Sequence, residues 1–345
     1  MSRNIPHAKA QRRNGALRNT AALGVFAPLR EKTSHQPRTN VAFTKLQRRL
    51  AFLVILLPFL GVIAALILAS TSGVGWVEVL LLLGMYMAGA VGTEVGFHRF
   101  FTHRSFQANK FTRMLLAVLG SMNAQGPVLF WAAIHRRHHQ FSDQAGDPHS
   151  PHVYANGKRI GSVLHGLWHA HVGWLFADEV TDWGRYVPDL LRDKIIFKIN
   201  RYYFVWVLLG LAFPALAGGL LLGTWLGVLK GFLWGGLVRI FLAQQVTWGV
   251  NSLGHVYGSR PFSNTDSSAN NGWLALLSIG GSWHNNHHAF PTSAWHGLKW
   301  WQIDLAGWFI SFMAVAGLAN NVEAPAPEAI ARLEVQEKKG SYHAT

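Results

Sequence analysis

The run Trp131 to Asp147, WAAIHRRHHQFSDQAGD, holds three histidines: His135, His138 and His139. On a helix, positions i, i+3 and i+4 share one face. Three imidazoles then project together, which is an arrangement suited to holding a metal. A single HxxHH also describes a solvated polar face, but this one does not stand alone. His98 and His103 lie in HRFFTH, and His284, His287 and His288 lie in HNNHH. His255 follows Asn251 by four residues in NSLGH, so those two share a helical face. The rest of the chain reads as a frame that brings these four segments together.

That frame is apolar and blocked into long runs. Half of the 345 residues are hydrophobic, with 15 Trp and 21 Phe. Leu50 to Ser70 is free of charge and long enough to cross a bilayer. Pro58 inside it is tolerable in a membrane helix. Trp76 to Phe97 is a second span, ending where His98 begins. Tyr203 to Leu222 is a third, and roughly 225–250 a fourth, although Lys230 and Arg239 weaken it. Phe111 to Ile134 is too interrupted by Asn123, Gln125, Gly126 and Pro127 to span; it reads as an embedded or interfacial helix leading into His135. Leu164 to Phe176 is aromatic and amphipathic. The run Lys299 to Leu318 reads as an amphipathic segment resting on the bundle, with a fifth span as the rival reading.

The formal charge is +15. The first fifty residues hold eleven Lys and Arg against one acid, Glu31. Because apolar runs follow at once, this is a basic cytoplasmic tail obeying the positive-inside rule rather than a nucleic-acid-binding arm. It has no apolar core of its own, so it is not a secretory signal peptide. Four spans in two hairpins then leave residues 98–202 and 251–320 on the cytoplasmic side, with both termini. The expected division is a disordered tail over 1–48, a membrane unit over 49–320 and a polar tail over 321–345. The fold class is an all-α integral membrane protein of an inner membrane.

The chain has no cysteine, so thiolate ligands, disulfides and cysteine nucleophiles are excluded. One zinc site ordinarily takes four ligands at most. The nine histidines of the four segments therefore imply two metals, and paired metals serve to hold a shared oxygen species or clamp a displacement. Redox-active iron fits a thiol-free imidazole shell; zinc and copper stay open on spacing alone. His98 and His103 are five apart and do not share a face of an ideal α-helix. Either the helix ends between them or they serve different metals. Asn251 could ligate directly or through water. His149 and His152, in DPHSPH, read as structural or surface groups, and His165, His169 and His171 as members of an aromatic segment. His296, in SAWHG, could support the ligands from behind. His7, His35 and His343 lie in the tails.

HRFFTHRSF, HRRHH, NSLGH and HNNHHAFP, together with GDPHSP, HAHVGWLF, TWGVNSLGHVYG and WHGLKWWQIDL, resemble the membrane fatty acid desaturases, closest to the bacterial acyl-CoA desaturases of the stearoyl-CoA, Δ9 type. The resemblance covers roughly residues 45–315. It implies four transmembrane helices under a cytoplasmic helical cap and a His-ligated di-iron centre. That centre would use O2 and two electrons to place a cis double bond in a saturated C16–C18 acyl thioester, acyl-CoA first among candidates. By position it implies iron ligation by His98, His103, His135, His138, His139, His255, His284, His287 and His288, with Asn251 holding a water. It also implies that Gln125, Trp131, Thr247 and Trp248 shape a bent acyl tunnel, where position alone suggests ordinary aromatic packing one helical turn from a metal-associated residue. Gly281 stands where the family commonly has Glu, and Ala269 where it tends to have Arg; the first departure is expected to loosen support of the third cluster. With no haem motif, dinucleotide fingerprint or ferredoxin cysteines in the chain, the electron donor is a separate ferredoxin or cytochrome b5-like protein with its reductase. Two rival readings remain at this stage: a membrane di-iron hydroxylase on the same scaffold, and a membrane metal-binding or transport protein.

Overall fold

Residues 41–334 are described by a computed structural model of the chain. Most of the basic tail, residues 1–40, and the last eleven residues, 335–345, lie outside them. Residues 41–48, expected as tail, belong to the first helix. α1 runs Val41–Ser72 and α2 Trp76–Ala90; α2 continues without a break as a π-helical segment, Val91–Thr102. α3 (Lys110–Ser121) and α4 (Val128–Phe141) flank the break rich in polar residues. α5 (Val163–His171) and three short helices, α6 (Trp183–Tyr186), α7 (Pro188–Arg192) and α8 (Lys194–Arg201), complete the first half of a cap. α9 (Tyr203–Leu222) pairs with a rod made of α10 (Trp225–Gly231), a π-helical segment (Phe232–Val238) and α11 (Arg239–Leu253). α12 (Gly272–Leu277), α13 (His284–Ala289), α14 (Leu305–Val315) and α15 (Pro327–Leu333) finish the cap.

Among the described residues, four helices are long and apolar enough to cross a membrane: Lys45–Ser72, Trp76–Thr102, Tyr203–Leu222 and Trp225–Leu253. They outrun the expected spans because the helices carry on past the last apolar residue into the cap. Their outer faces expose apolar side chains such as Leu66, Ile67, Leu216 and Leu220, as lipid-facing surfaces do. Turns near Gly73 and Gly223, both at positive φ, join each pair at one end, and the cap covers the other. The rod α10–α11 lies tight on α9. A methyl group added at Gly218, Gly227 or Gly231 would overlap the facing backbone, so these small residues permit the close crossing.

The charges that weakened the fourth span are satisfied by protein. Lys230 Nζ donates to Glu78 Oε1 at 2.7 Å and to the carbonyls of Ser72 and Gly73. Arg239 is fully buried and donates to the carbonyls of Met122, Gly210 and Gly235 and to Asn123 Oδ1, at 2.7–3.1 Å. It thus ties the α3–α4 break to both helices of the second hairpin. Asn123 passes the connection on, donating to Thr93 Oγ1 on α2's extension at 2.9 Å.

The run 299–318 does not form a fifth span: its helix, α14, has only 11 residues. Ala306, Ile310 and Met313 face the core, while Trp308, Phe312 and Val315 are exposed. That is the two-faced pattern of a helix lying on a bilayer surface. The expected polar tail from 321 is anchored up to residue 334. A two-residue strand, β2 (Ala319–Asn320), pairs antiparallel with β1 (Gln107–Ala108), and Glu323 N donates to Ser105 O at 2.8 Å.

Candidate metal centre

The two HxxHH helices, α4 and α13, interleave their rings, His139 standing 4.7 Å from His287 and 4.4 Å from His288. Ligand-capable nitrogens of His98, His103, His135, His139 and His287 lie within 4.8 Å of one another. Those of His138, His255, His284 and His288 form a second such group. Together these are the nine histidines singled out from spacing. Each HxxHH helix serves both groups in opposite proportion: α4 gives its first and third histidines to the five-membered group, α13 its first and third to the four-membered one.

His98 and His103 fall in one group, against the expectation that the helix ends between them or that they serve different metals. The reason is the π-helical winding of Val91–Thr102. Its i→i+5 bonds, such as His103 N to His98 O at 3.1 Å, set residues five apart one above the other. The two rings stand 5.0 Å apart, edge to face.

The residues between the histidines fasten the helices. Arg136 donates to the carbonyls of Phe101 and Thr102 and to both oxygens of Asp189. Arg137 reaches Gly146 O, Glu179 and Thr181. In α13, Asn285 exchanges bonds with the backbone of Phe262, and Asn286 bonds Asn270, Gln302 and His296 O. Spacing-based reading gave these four no role.

Carboxylates stand behind the rings. Nδ1 of His138 faces both oxygens of Asp147 at 3.0 Å; Nδ1 of His255 faces Asp143 at 2.9 Å; Nδ1 of His288 faces Asp266 at 2.6 Å. On the five-membered side, Nδ1 of His98 faces Glu94 at 2.9 Å. A carboxylate accepting Nδ1–H turns the Nε2 lone pair toward the centre, as in metal sites generally. The Nε2 atoms do converge: His98 to His287 at 3.1 Å, His135 to His139 at 3.1 Å, His139 to His287 at 2.8 Å and His255 to His284 at 3.0 Å. For metal–nitrogen bonds of about 2.1 Å, ligands at right angles stand about 3.0 Å apart. Nε2 of His103, His138 and His288 are buried with no partner among the described residues. Buried polar atoms without partners call for an explanation, and two bound cations supply one.

Burial, and after it the neighbouring imidazoles, holds His103, His135, His139, His284, His287 and His288 well below the ordinary histidine value. These rings are neutral, as a metal requires. For His255, burial pushes down but Asp143 outweighs it and raises the value; Asp143, also opposed by burial, is held low by the same contact.

Several placements were not legible in the sequence. His149 is buried with its ring stacked 4.4 Å from His138, and burial pushes it down to about 3. His152 is not a bystander, since its Nε2 donates to His255 O at 2.9 Å. His296 is buried between His98 and His287, at 5.2 and 4.4 Å. His171 bonds Ser252 and Gln245 of α11. His165 pairs with Tyr154 away from both groups, and His169 lines a side pocket. Gly281 lies against the Glu94 carboxylate. A Cβ there would stand 2.8 Å from Glu94 Oε2, so the glycine makes room for the carboxylate that orients His98. Ala269 is buried, its N–H donating to Gly254 O at 2.7 Å.

An apolar cavity of about 370 Å³ runs from the cap into the bundle beside these rings. His98, His135 and His284 border it, so both groups reach its wall, and Asn251 lines it one turn before His255. Gln125, Trp131, Thr247 and Trp248 line it too. Gln125 Nε2 donates to Thr247 Oγ1 at 3.1 Å and Ala243 O at 3.2 Å; Trp131 stacks 5.0 Å from His135. Tyr86, absent from the sequence-based set, also lines it, its phenol donating to Leu277 O at 2.7 Å.

The family described as fatty acid desaturase matches residues 74–308. The chain belongs to the fatty acid desaturase family. A hex-5-enoyl-[acyl-carrier protein] acetylenase of Moorena producens is 46% identical over 88% of this chain and 95% of its own length. An sn-1 stearoyl-lipid 9-desaturase of Anabaena variabilis is 37% identical, over 77% of this chain and 91% of its own. An acyl-CoA C20 Δ5-desaturase of Anemone leveillei is 34% identical, over 82% and 84%. The rival reading as a transport protein therefore falls away. This is a membrane oxidoreductase acting on fatty acyl chains.

Proposed function

We propose that this desaturase binds two irons through its two histidine groups and uses O2 to insert a cis Δ9 double bond into saturated C16–C18 acyl thioesters. The observation that carries the reading is the apolar cavity that both groups border, with a hydrogen-bonded Gln125–Thr247 pair and two indoles fixing its wall. The nine histidines are its ligands, and Asn251, facing the cavity a turn before His255, holds a water at one iron. The irons, when bound, supply O2 activation and hydrogen abstraction from the acyl chain. The balance is R–CH2–CH2–R′ + O2 + 2 e⁻ + 2 H⁺ → R–CH=CH–R′ + 2 H2O, and a separate ferredoxin or cytochrome b5-like donor supplies the electrons.

The chain's own residues do the positioning. A saturated chain offers no polar handle, so the reacting carbons are chosen by distance along rigid walls. Trp131, stacked on His135, and Trp248 are bulky enough to set a bend. The apolar lining displaces water and binds the chain by burial, about 0.8 kcal/mol per methylene. The basic tail and the Lys and Arg of the cap favour a cytoplasmic position for the active face in a bacterial inner membrane.

A second reading has its own support. The 46% identical relative is named for a C6 carrier-linked alkene, and Tyr86, held by its bond to Leu277 O, narrows the choice of chain by lining the cavity with a bulky ring. On this reading the substrate is a shorter, carrier-linked, already unsaturated chain and the product an alkyne. Expression in a desaturase-deficient host, followed by gas chromatography of derivatised lipids, separates the two. Cis monoenes cleaving between C9 and C10 support the first; terminal alkynes support the second; hydroxylated chains defeat both. Metal analysis of active protein should find about two irons, and a single stable zinc would refute the di-iron reading.

A further inference from the structure

We infer that the carboxylates behind the histidines make the two metal positions unequal, with iron in the four-histidine position held at the lower reduction potential. The inference rests on the di-iron reading. Three of the four rings in that position, His138, His255 and His288, face a carboxylate through Nδ1: Asp147, Asp143 and Asp266. In the five-histidine position only His98 does so, through Glu94. Glu94 is in turn shared with Arg99, whose Nε lies 3.4 Å from the same oxygen. Among the described residues, His103, His135, His139 and His287 face no carboxylate.

A carboxylate that accepts Nδ1–H moves negative charge onto the imidazole and makes it a stronger donor. That favours ferric over ferrous iron. The extra imidazole of the five-histidine position adds a neutral donor, not a charge. Asp147 is fully buried, and Asp143 and Asp266 are each only 8% exposed, so solvent screens them little. Three anions on one side against one partly neutralised anion on the other decide the sign.

The three aspartates also come pre-fixed. Asp147 accepts from the N–H groups of Asp143 and His149, and Asp143 accepts from Ser150 Oγ and Ser267 N. Asp143 holds a positive φ of 58° to do this. Asp266 accepts from Ser268 N at 2.9 Å. These are positioning residues that act on iron through the rings.

The test is stepwise reduction of 57Fe-loaded, detergent-purified full-length protein, followed by Mössbauer spectroscopy and redox potentiometry. Two separate one-electron steps are expected. Asp266→Asn, which keeps Oδ1 for Ser268, should raise the lower potential and leave the upper one. A tenfold change in ferric preference corresponds to about 59 mV for one electron. Glu94→Gln should move the upper step and spare the lower, and Asp266→Glu should restore the native lower step. Loss of a single iron from Asp266→Asn, with the native upper step kept, also supports the inference. One unresolved two-electron step, or a shift of the upper potential in Asp266→Asn, overturns it. If Asp266→Asn does not fold, Asp143→Asn replaces it with the same expected outcome. Wild-type protein that takes up no iron would instead defeat the di-iron reading.

Discussion

Tyr86 should set how long a chain the cavity accepts. It lies on α2 below Ala90, Thr93 and Glu94, which line the same wall on the way to His98. At 1.5 Å per residue it stands about 18 Å along the helix from that histidine. Its phenol bonds Leu277 O, so the ring cannot swing aside without losing that hydrogen bond. Tyr86→Ala removes the ring and opens the deep end. Each newly seated methylene is worth about 0.8 kcal/mol, so two more carbons amount to about 1.6 kcal/mol, or about fifteenfold in kcat/KM for the longer substrate relative to the wild-type limit. Tyr86→Phe removes only the bond to Leu277, about 1 kcal/mol of stability, and keeps the wall. The assay is competition among saturated acyl thioesters of increasing even length, with products counted by gas chromatography. The Ala variant should favour longer chains by that margin, and the Phe variant should keep the native profile at slightly lower thermal stability. An active Ala variant with the native length profile would show that the cavity is closed elsewhere.

Other expected outcomes follow from single contacts. Trp131→Ala removes a ring stacked on His135 and the cavity wall with it; activity should fall or the double-bond position blur while the iron content holds, and loss of iron would reduce Trp131 to packing. Gly281→Ala must displace the Glu94 carboxylate, so iron retention during gel filtration should drop, and an unchanged iron content would show that Glu94 does not orient His98. His138→Ala should abolish turnover in protein that still inserts, whereas His152→Ala, losing one bond to a carbonyl, should keep measurable turnover; equal loss in both would contradict the ligand assignment. Arg239→Met leaves three carbonyls and an amide oxygen without their donor inside the bundle and should cost at least about 3 kcal/mol, read as a lower melting temperature in detergent.

The spans and the nine histidines were legible because each is a repeated local signal. Long uncharged runs can only be membrane helices or buried cores, and the i, i+3, i+4 spacing puts rings on one face whatever the tertiary context. The cavity residues Gln125, Trp131, Thr247 and Trp248 were legible only through resemblance, because nothing local distinguishes a tunnel wall from packing. Lys230 and Arg239 counted against the fourth span because their partners, Glu78 and a set of backbone carbonyls, come from elements that sequence order does not bring near.

The least legible feature was the helix geometry at the second span's end. A 3.6-residue period assigns His98 and His103 to different faces, so spacing argued for a break. The chain instead winds wider over Val91–Thr102, and the single insertion of π turns brings both rings to one metal position. The same widening brings Glu94, four residues before His98, against both His98 and Gly281. At residue 281 the glycine leaves room for that carboxylate. Counting ligands along a chain finds the histidines. Finding what orients them requires knowing which helix runs out of register, and that is decided by packing: Gly92 and Gly96 let the π segment lie directly on Leu116, Leu119 and Gly120 of α3, where any larger residue would push it away.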